Sequence, residues 1–208
     1  MWEVLTIIGT IAFALSGAFV AMEEKYDLLG VYILGLVTAF GGGAIRNLLI
    51  GVPVSALWDQ GSLFLIAIMV VTIAFLFPIP LLQQWVKFGL LFDAIGLSAF
   101  AIQGAIYATE MGHPLSAVIV AAALTGTGGG MIRDVLAGRK PLFLQKEIYI
   151  VWTMGAGLLI GLGLIHTPLG YTILFLSVII LRMLSVHFQW HLPSRQLGKR
   201  VQEINKSM

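Results

Sequence analysis

Long apolar runs broken by short polar connections set the pattern of this 208-residue chain. Uncharged stretches cover residues 4–22, 28–45, 61–82, 114–132, 148–166 and 168–181, and the stretch 88–109 carries one charge, Asp93. The second run continues past Arg46 to Val52, and the fifth resumes beyond Arg133 and Asp134. A helix needs about 20 mostly apolar residues to cross the hydrocarbon core of a bilayer. The pattern therefore predicts an all-α polytopic membrane protein of seven transmembrane helices with short connections. The first run lacks the basic flank of a signal peptide and has a copy later in the chain, so it is read as a span.

Composition agrees with this reading. Hydrophobic residues make up 59% of the chain and charged residues 11%, and the mean hydropathy is +0.97. A soluble domain carries about 25% charged residues, so the solvent here is the bilayer. Glycine is abundant, 24 residues, as in membrane helices whose backbones approach closely. The absence of cysteine removes disulfides, thiolate catalysis and Cys-type metal sites. Seven crossings put the termini on opposite sides. The loops after the first, third and fifth spans, with the C-terminal tail, hold nine Lys and Arg: Lys25, Lys87, Arg139, Lys140, Lys146, Arg195, Lys199, Arg200 and Lys206. The opposite side holds none, and Arg46, Arg133 and Arg182 lie in or at the ends of spans. The positive-inside rule then places the N-terminus outside and the C-terminus in the cytoplasm.

The chain also repeats itself. At an offset of 87 residues, Gly41-Gly42-Gly43-Ala44-Ile45-Arg46-Asn47 falls on Gly128-Gly129-Gly130-Met131-Ile132-Arg133-Asp134. Without a gap, Ile8-Gly9, Ala12-Phe13-Ala14 and Gly17-Ala18 fall on Ile95-Gly96, Ala99-Phe100-Ala101 and Gly104-Ala105. The third and sixth spans match only as apolar helices, and the seventh is unpaired. An offset of three spans makes the second copy enter the membrane from the opposite face. The expected organisation is a first three-helix repeat over 1–87, a second, inverted repeat over 88–166, a seventh helix within 167–192 and a basic tail over 193–208. Inverted repeats recur in transporters, with the substrate site near the midplane at Gly-interrupted segments.

Three consecutive glycines inside a helix cost roughly 1 kcal/mol each against alanine. They can bend or unwind the helix and free carbonyls toward a wet cavity, or they can be notches for a neighbouring helix. A charge at the bilayer centre costs from about 2.5 to above 10 kcal/mol, so such charges face a partner or a water path. Near a span end an arginine can instead snorkel to the headgroups. Two copies of the motif favour a polar-lined pathway at Gly41, Gly42, Gly43 and Arg46 and at Gly128, Gly129, Gly130, Arg133 and Asp134. Adjacent residues do not share a helix face, so Asp134 is expected to find its partner elsewhere, with Arg46 the candidate. Asp93, opposite Thr6 in the first copy, is a second polar wall or an interfacial residue. Ser16 and Gln103, and Thr38 and Thr125, line the path or bond between helices. The tryptophans fall mainly near span ends, as in an aromatic belt. His187 and His191 lie four apart near the terminus, without metal-ligand spacing. The Gly-Thr-Gly-Gly-Gly run lacks the Lys-Ser/Thr ending of a phosphate loop. No nucleophile–base constellation stands out, so no enzyme, cofactor or nucleic-acid partner is expected.

The doubled Gly-Gly-Gly-x-x-Arg-Asn/Asp segment, with its preceding Ile-Gly-x-x-Ala-Phe-Ala-x-x-Gly-Ala helix, resembles the bacterial UPF0126 family, related to the trimeric intracellular cation (TRIC) channels. The likeness runs from about residue 5 to about residue 184, leaving the tail uncovered. It implies a homotrimer in a prokaryotic plasma membrane, a pore in each subunit, second and fifth helices bent at the glycines, and permeation by monovalent cations, chiefly potassium. Asn47 stands where the second copy has Asp134, which weakens the first copy's charge pattern. Family members are also described as glycine transporters, which implies a small zwitterionic solute instead. A channel needs a continuous wet path; a carrier needs a site exposed alternately to either side.

Overall fold

The computed structural model describes residues 2–76, 88–144, 148–190 and 192. Among these residues it contains seven α-helices and two 3-10 turns and no strand. The helices are α1 (Trp2–Glu23), α2 (Leu28–Ile50), α3 (Gly61–Leu76), α4 (Gly89–Glu110), α5 (Leu115–Leu136), α6 (Ile150–Gly161) and α7 (Pro168–His187). Local chemistry marks several ends. Asp27 caps α2 by accepting from the Gly30 N–H at 2.8 Å, and Thr167 caps α7 by accepting from the Gly170 N–H, with Pro168 in the first turn.

Six of the helices, the third counted with the 3-10 turn Val54–Gln60 before it, are long and apolar enough to cross a membrane. The exception is α6, with 12 residues; at 1.5 Å per residue it spans about 18 Å of a core about 30 Å thick. It is shorter than the expected 148–166 run because the chain turns at Gly163. That residue has φ 71°, and the Gly163 and Leu164 N–H groups bond back to the Ile160 and Leu159 carbonyls. This closure requires a left-handed residue, a conformation glycine adopts without steric cost. The seventh helix, α7, runs past the uncharged stretch 168–181 to His187 and stays within the expected 167–192. The end of the third run, Lys87, Trp85, Lys146, His191 and the basic tail lie outside the described residues.

Four helices form the centre: α1 packs on α2 and α4, and α5 packs on α2 and α4. Their contact faces are built from small residues, among them Ala14, Ala18, Ala21, Ala99, Ala101 and Ala105, all fully buried. Small side chains bring membrane helices close enough for dispersion contacts along their length, where lipid offers no hydrophobic drive to associate. Outside this core α3 leans on α1 and α2, α6 on α5 and α4, and α7 on α4 and α6. The outer helices are one-sided in burial but apolar all round. On α3, Ala67, Val71 and Ala74 face inward while Leu65, Met69, Ile73 and Leu76 are exposed. On α7, Leu174, Val178, Arg182 and Ser185 face inward while Leu169, Ile173, Leu176 and Ile180 are exposed. Apolar residues on both faces of a helix are what a lipid solvent calls for. The protein is a multi-pass membrane protein.

Both glycine triplets lie within unbroken α-helix. Of the uses open to these glycines, unwinding is not seen, and the middle pair serves as packing notches. The two middle glycines act as a pair: a Cβ at Gly42 would strike the Thr125 carbonyl, and a Cβ at Gly129 would strike the Thr38 carbonyl. Close approach of α2 and α5 backbones at this crossing is therefore possible only without a side chain at either position.

Candidate functional site

The third glycine of each triplet lies beside the arginine three residues on, at ordinary contact distance. Arg46 Nη2 lies 3.9 Å from where a Gly43 Cβ would be, and Arg133 Nη2 lies 3.6 Å from the same point at Gly130. Neither arginine snorkels: Arg46 and Arg133 are 4% and 3% exposed. Each turns back along its own helix into a polar cluster between α1, α4 and the end of its own helix.

Around Arg133 the cluster is acidic. Its Nη1 donates to Asp93 Oδ1 at 2.8 Å and to Ser16 Oγ at 2.6 Å. Its Nε donates to Asp134 Oδ1 at 2.8 Å, and Nη2 lies 2.7 Å from the same oxygen. The Tyr149 hydroxyl donates to Asp93 Oδ2 at 2.9 Å, and the Leu142 N–H donates to Asp134 Oδ2 at 3.0 Å. The expected pairing of Asp134 with Arg46 is thus corrected: Asp134 binds its sequence neighbour. The Cβ atoms of adjacent residues diverge, but an arginine side chain is long and flexible enough to fold back over one residue. Asp93 is a buried ion-pair partner, 1% exposed, and not an interfacial residue.

Around Arg46 the cluster is neutral. Nε and Nη2 donate to Asn47 Oδ1 at 3.1 and 2.9 Å, and Nη1 reaches Gln103 Oε1 at a long 3.5 Å. Gln103 donates in turn to Thr6 Oγ1 at 2.9 Å, and the guanidinium carbon sits 4.6 Å over the Tyr107 ring. Besides the arginines, three members of each cluster correspond at the 87-residue offset. Gln103 replaces Ser16, Thr6 replaces Asp93 and Asn47 replaces Asp134. The scaffold is kept and both carboxylates are gone.

Each arginine stands at the base of a vestibule. A cavity of 330 Å³ is lined by Ser16, Glu23, Asp93, Arg133, Asp134 and Arg139, among others. A second, of 490 Å³, is lined by Glu3, Thr6, Arg46, Asn47, Asp59 and Gln103, among others. On α1 the order is Thr6, Phe13, Ser16, and on α4 it is Asp93, Phe100, Gln103. Phe13 and Phe100 therefore lie between the clusters on both helices, with ring centroids 5.3 Å apart. Thr6 and Ser16, ten residues apart, are about 15 Å apart along the helix. A 20 Å³ void beside Thr10, Phe100, Arg46 and Gln103 leaves space there for about one water.

Thr38 and Thr125, expected on the path or bonding between helices, bond within their own helices, their hydroxyls donating to the Leu34 and Ala121 carbonyls. They stand where Gly17 and Gly104 give way to α2 and α5. Other residues enter the site without a clear signal in the sequence. Tyr149 reaches Asp93, and Arg182, 1% exposed, stacks on the Tyr149 ring at 4.5 Å. At the 87-residue offset Tyr149 falls on Ser62, and Arg182 lies on the unpaired seventh helix. Tyr107 had a signal, since it lies four residues after Gln103 and so shares its helix face. At the mouth of the Arg133 vestibule, Arg139 bridges Glu24 at 2.6 Å and Glu23 at 2.8 Å. Partial burial opposes its charge, but the two glutamates outweigh this and hold the guanidinium pKa above its ordinary value.

A family model described as Glycine transporter matches residues 3–78 and 90–164. The UPF0126 membrane protein YvgT of Bacillus subtilis (strain 168) is 66% identical over 194 residues, 93% of this chain and 96% of the relative. The UPF0126 inner membrane protein YadS of Escherichia coli (strain K12) is 37% identical over 172 residues, 81% of this chain and 78% of the relative. Among solved structures, a prokaryotic TRIC channel in 0.5 M KCl matches with TM-score 0.83 at 33% identity, covering 92% of this chain and 98% of the other. The TRIC orthologue from Rhodobacter sphaeroides matches with TM-score 0.79 at 32% identity, covering 90% and 98%. These relatives are described as membrane proteins, channels or transporters, not as enzymes.

Proposed function

This chain belongs to the UPF0126 family, whose model is described as Glycine transporter, and from that premise we propose that it is a TRIC-like channel for monovalent cations, chiefly potassium. Each subunit carries its own pore, running from the Arg133 vestibule past Phe13 and Phe100 to the Arg46 vestibule. The subunits assemble as a homotrimer, in keeping with the trimeric description of the Rhodobacter sphaeroides relative. The two halves, 1–87 and 88–166, are inverted repeats, and the Arg133 vestibule opens to the cytoplasm of a prokaryotic cell.

The observation that carries this reading is the pair of buried arginine clusters, each below its own vestibule, on opposite sides of one aromatic constriction. Fixed positive charge in a pore repels cations, and the reading must meet that objection. At Arg133 it is met by two carboxylates at 2.7–2.8 Å, which leave the cluster net negative. At Arg46 no ion pair forms among the described residues, so this arginine is the electrostatic barrier and the position where conduction is controlled. The test is purified protein in planar bilayers under a KCl gradient. Discrete steps reversing near the potassium potential are expected, and Arg46→Gln should change conductance or open probability in folded protein. Unchanged rate and selectivity in both Arg46→Gln and Arg133→Gln would remove the arginines from the path.

The closed constriction favours a second reading, a carrier for glycine or another small amino acid, because a carrier requires a barrier between its two access routes. A silent bilayer together with saturable glycine counterflow in liposomes would select it.

A further inference from the structure

We propose that the Arg46 vestibule is a binding site for a small monovalent anion, held by the Arg46 guanidinium beside the Asn47 amide. The two arginine clusters are an internal comparison within one chain. Both place a guanidinium at the same point of the repeat, almost wholly buried and at the base of a cavity. Arg133 is offset by Asp93 and Asp134. The positions equivalent to those aspartates are Thr6 and Asn47, which carry no charge. A buried cation without a counter-charge is costly, and a pairing solved within the chain at Arg133 is left to solution at Arg46.

The geometry suits an anion. The three hydrogen bonds Arg46 makes use Asn47 Oδ1 and Gln103 Oε1, one of them at a long 3.5 Å. A guanidinium has five N–H donors in a planar fork, so donor capacity remains toward the cavity. Because Asn47 presents its oxygen to Arg46, its amide N–H₂ is a further donor on the same cavity wall. A volume of 490 Å³ accommodates a small anion with several waters, each of about 30 Å³. Glu3 and Asp59 also line this cavity, but both are exposed and neither lies within ion-pair distance of Arg46 among the described residues. They stand in water at the mouth, where screening weakens their claim on the buried charge.

The proposal concerns occupancy and holds whether the protein is a channel or a carrier, so its test reads binding. Full-length protein in neutral detergent is unfolded by heat in potassium gluconate, with chloride or formate replacing gluconate at constant ionic strength. A ligand that binds only the folded state raises Tm by mass action, here by an expected rise on the order of 5 °C near a hundredfold excess over Kd. Chloride and formate separate an inorganic halide from a carboxylate as occupant, and a saturating rise with either supports the site. The rise should vanish in Arg46→Gln. Should that variant fold poorly, Asn47→Asp gives a second reading: it supplies the carboxylate that Arg133 already has, and the protein should become indifferent to the anion. A rise of equal size in Asn47→Asp and the parent protein would overturn the proposal, as would a parent Tm unmoved by either anion.

Discussion

Arg133 and Arg46 show how far one side chain's cost depends on its neighbours. Replacing Arg133 with Gln leaves Asp93 with only the Tyr149 hydroxyl and Asp134 with only the Leu142 N–H among the bonds described above. Removing one partner of a buried ion pair costs about 3 kcal/mol or more, because the remaining charge stays desolvated. Arg46→Gln strands no carboxylate. It forfeits guanidinium bonds to neutral amides and the contact with the Tyr107 ring, about 1.5–3 kcal/mol. Part of that loss is offset because it also removes a buried charge that has no ion pair among the described residues. Thermal unfolding in one detergent should therefore rank Arg133→Gln well below Arg46→Gln. Equal losses would mean that Arg46 has an acidic counter-charge within the protein. The sequence made both arginines and both aspartates legible as intramembrane charges, but not their pairing. Helical-face geometry describes where Cβ atoms point, whereas a guanidinium sits several bonds further out and can return to its own neighbour.

At the scale of the element, the α2–α5 crossing separates the three glycines of each triplet by function. Alanine at Gly42 or Gly129 puts a methyl group into a backbone carbonyl of the other helix, which cannot move aside without parting the helices. Overpacking of this kind costs about 1–3 kcal/mol, more than the roughly 1 kcal/mol an alanine returns in helix propensity. At Gly43 the nearest atoms to a new Cβ lie at 3.8 and 3.9 Å, ordinary contact distances. Gly42→Ala and Gly129→Ala should each lower Tm, while Gly43→Ala should leave it unchanged or raise it slightly. A loss at Gly43 as large as at Gly42 would show that the motif does more than allow close packing. The repeat makes these glycines legible from the amino-acid pattern alone, because a costly residue at two matched positions needs a cause. It does not distinguish notch from break, since that depends on which partner helix arrives. The outer helices are less legible for the opposite reason. The apolar run that forms α6 matches the third run only as an apolar helix, so neither its early stop at Gly163 nor the reach of Tyr149 to Asp93 has a matching residue to reveal it.

The whole molecule has two mouths of unlike charge. Arg139 and Lys140 line the Arg133 vestibule with Glu23, while Glu3 and Asp59 line the Arg46 vestibule with no Lys or Arg beside Arg46 itself. Arg139 bridging Glu23 and Glu24 also ties the loop after α1 to the loop after α5 at one mouth. Positive loop charge stays on the cytoplasmic side of a bilayer, so the Arg133 mouth should face the cytoplasm and the Arg46 mouth the exterior. The chain has no cysteine, which makes a single introduced thiol an unambiguous reporter. Asp59 and Lys140 are both exposed, so Asp59→Cys and Lys140→Cys place that thiol at opposite mouths with little effect on packing. In intact cells an impermeant maleimide should modify Asp59→Cys and reach Lys140→Cys only after permeabilisation. Modification of both from outside would place the two vestibules on one face, and a path through Phe13 and Phe100 would no longer cross the membrane. Modification of Lys140→Cys alone would keep the path and reverse its direction, so that the cluster carrying two carboxylates, and not the neutral one, would be the first that an incoming cation meets.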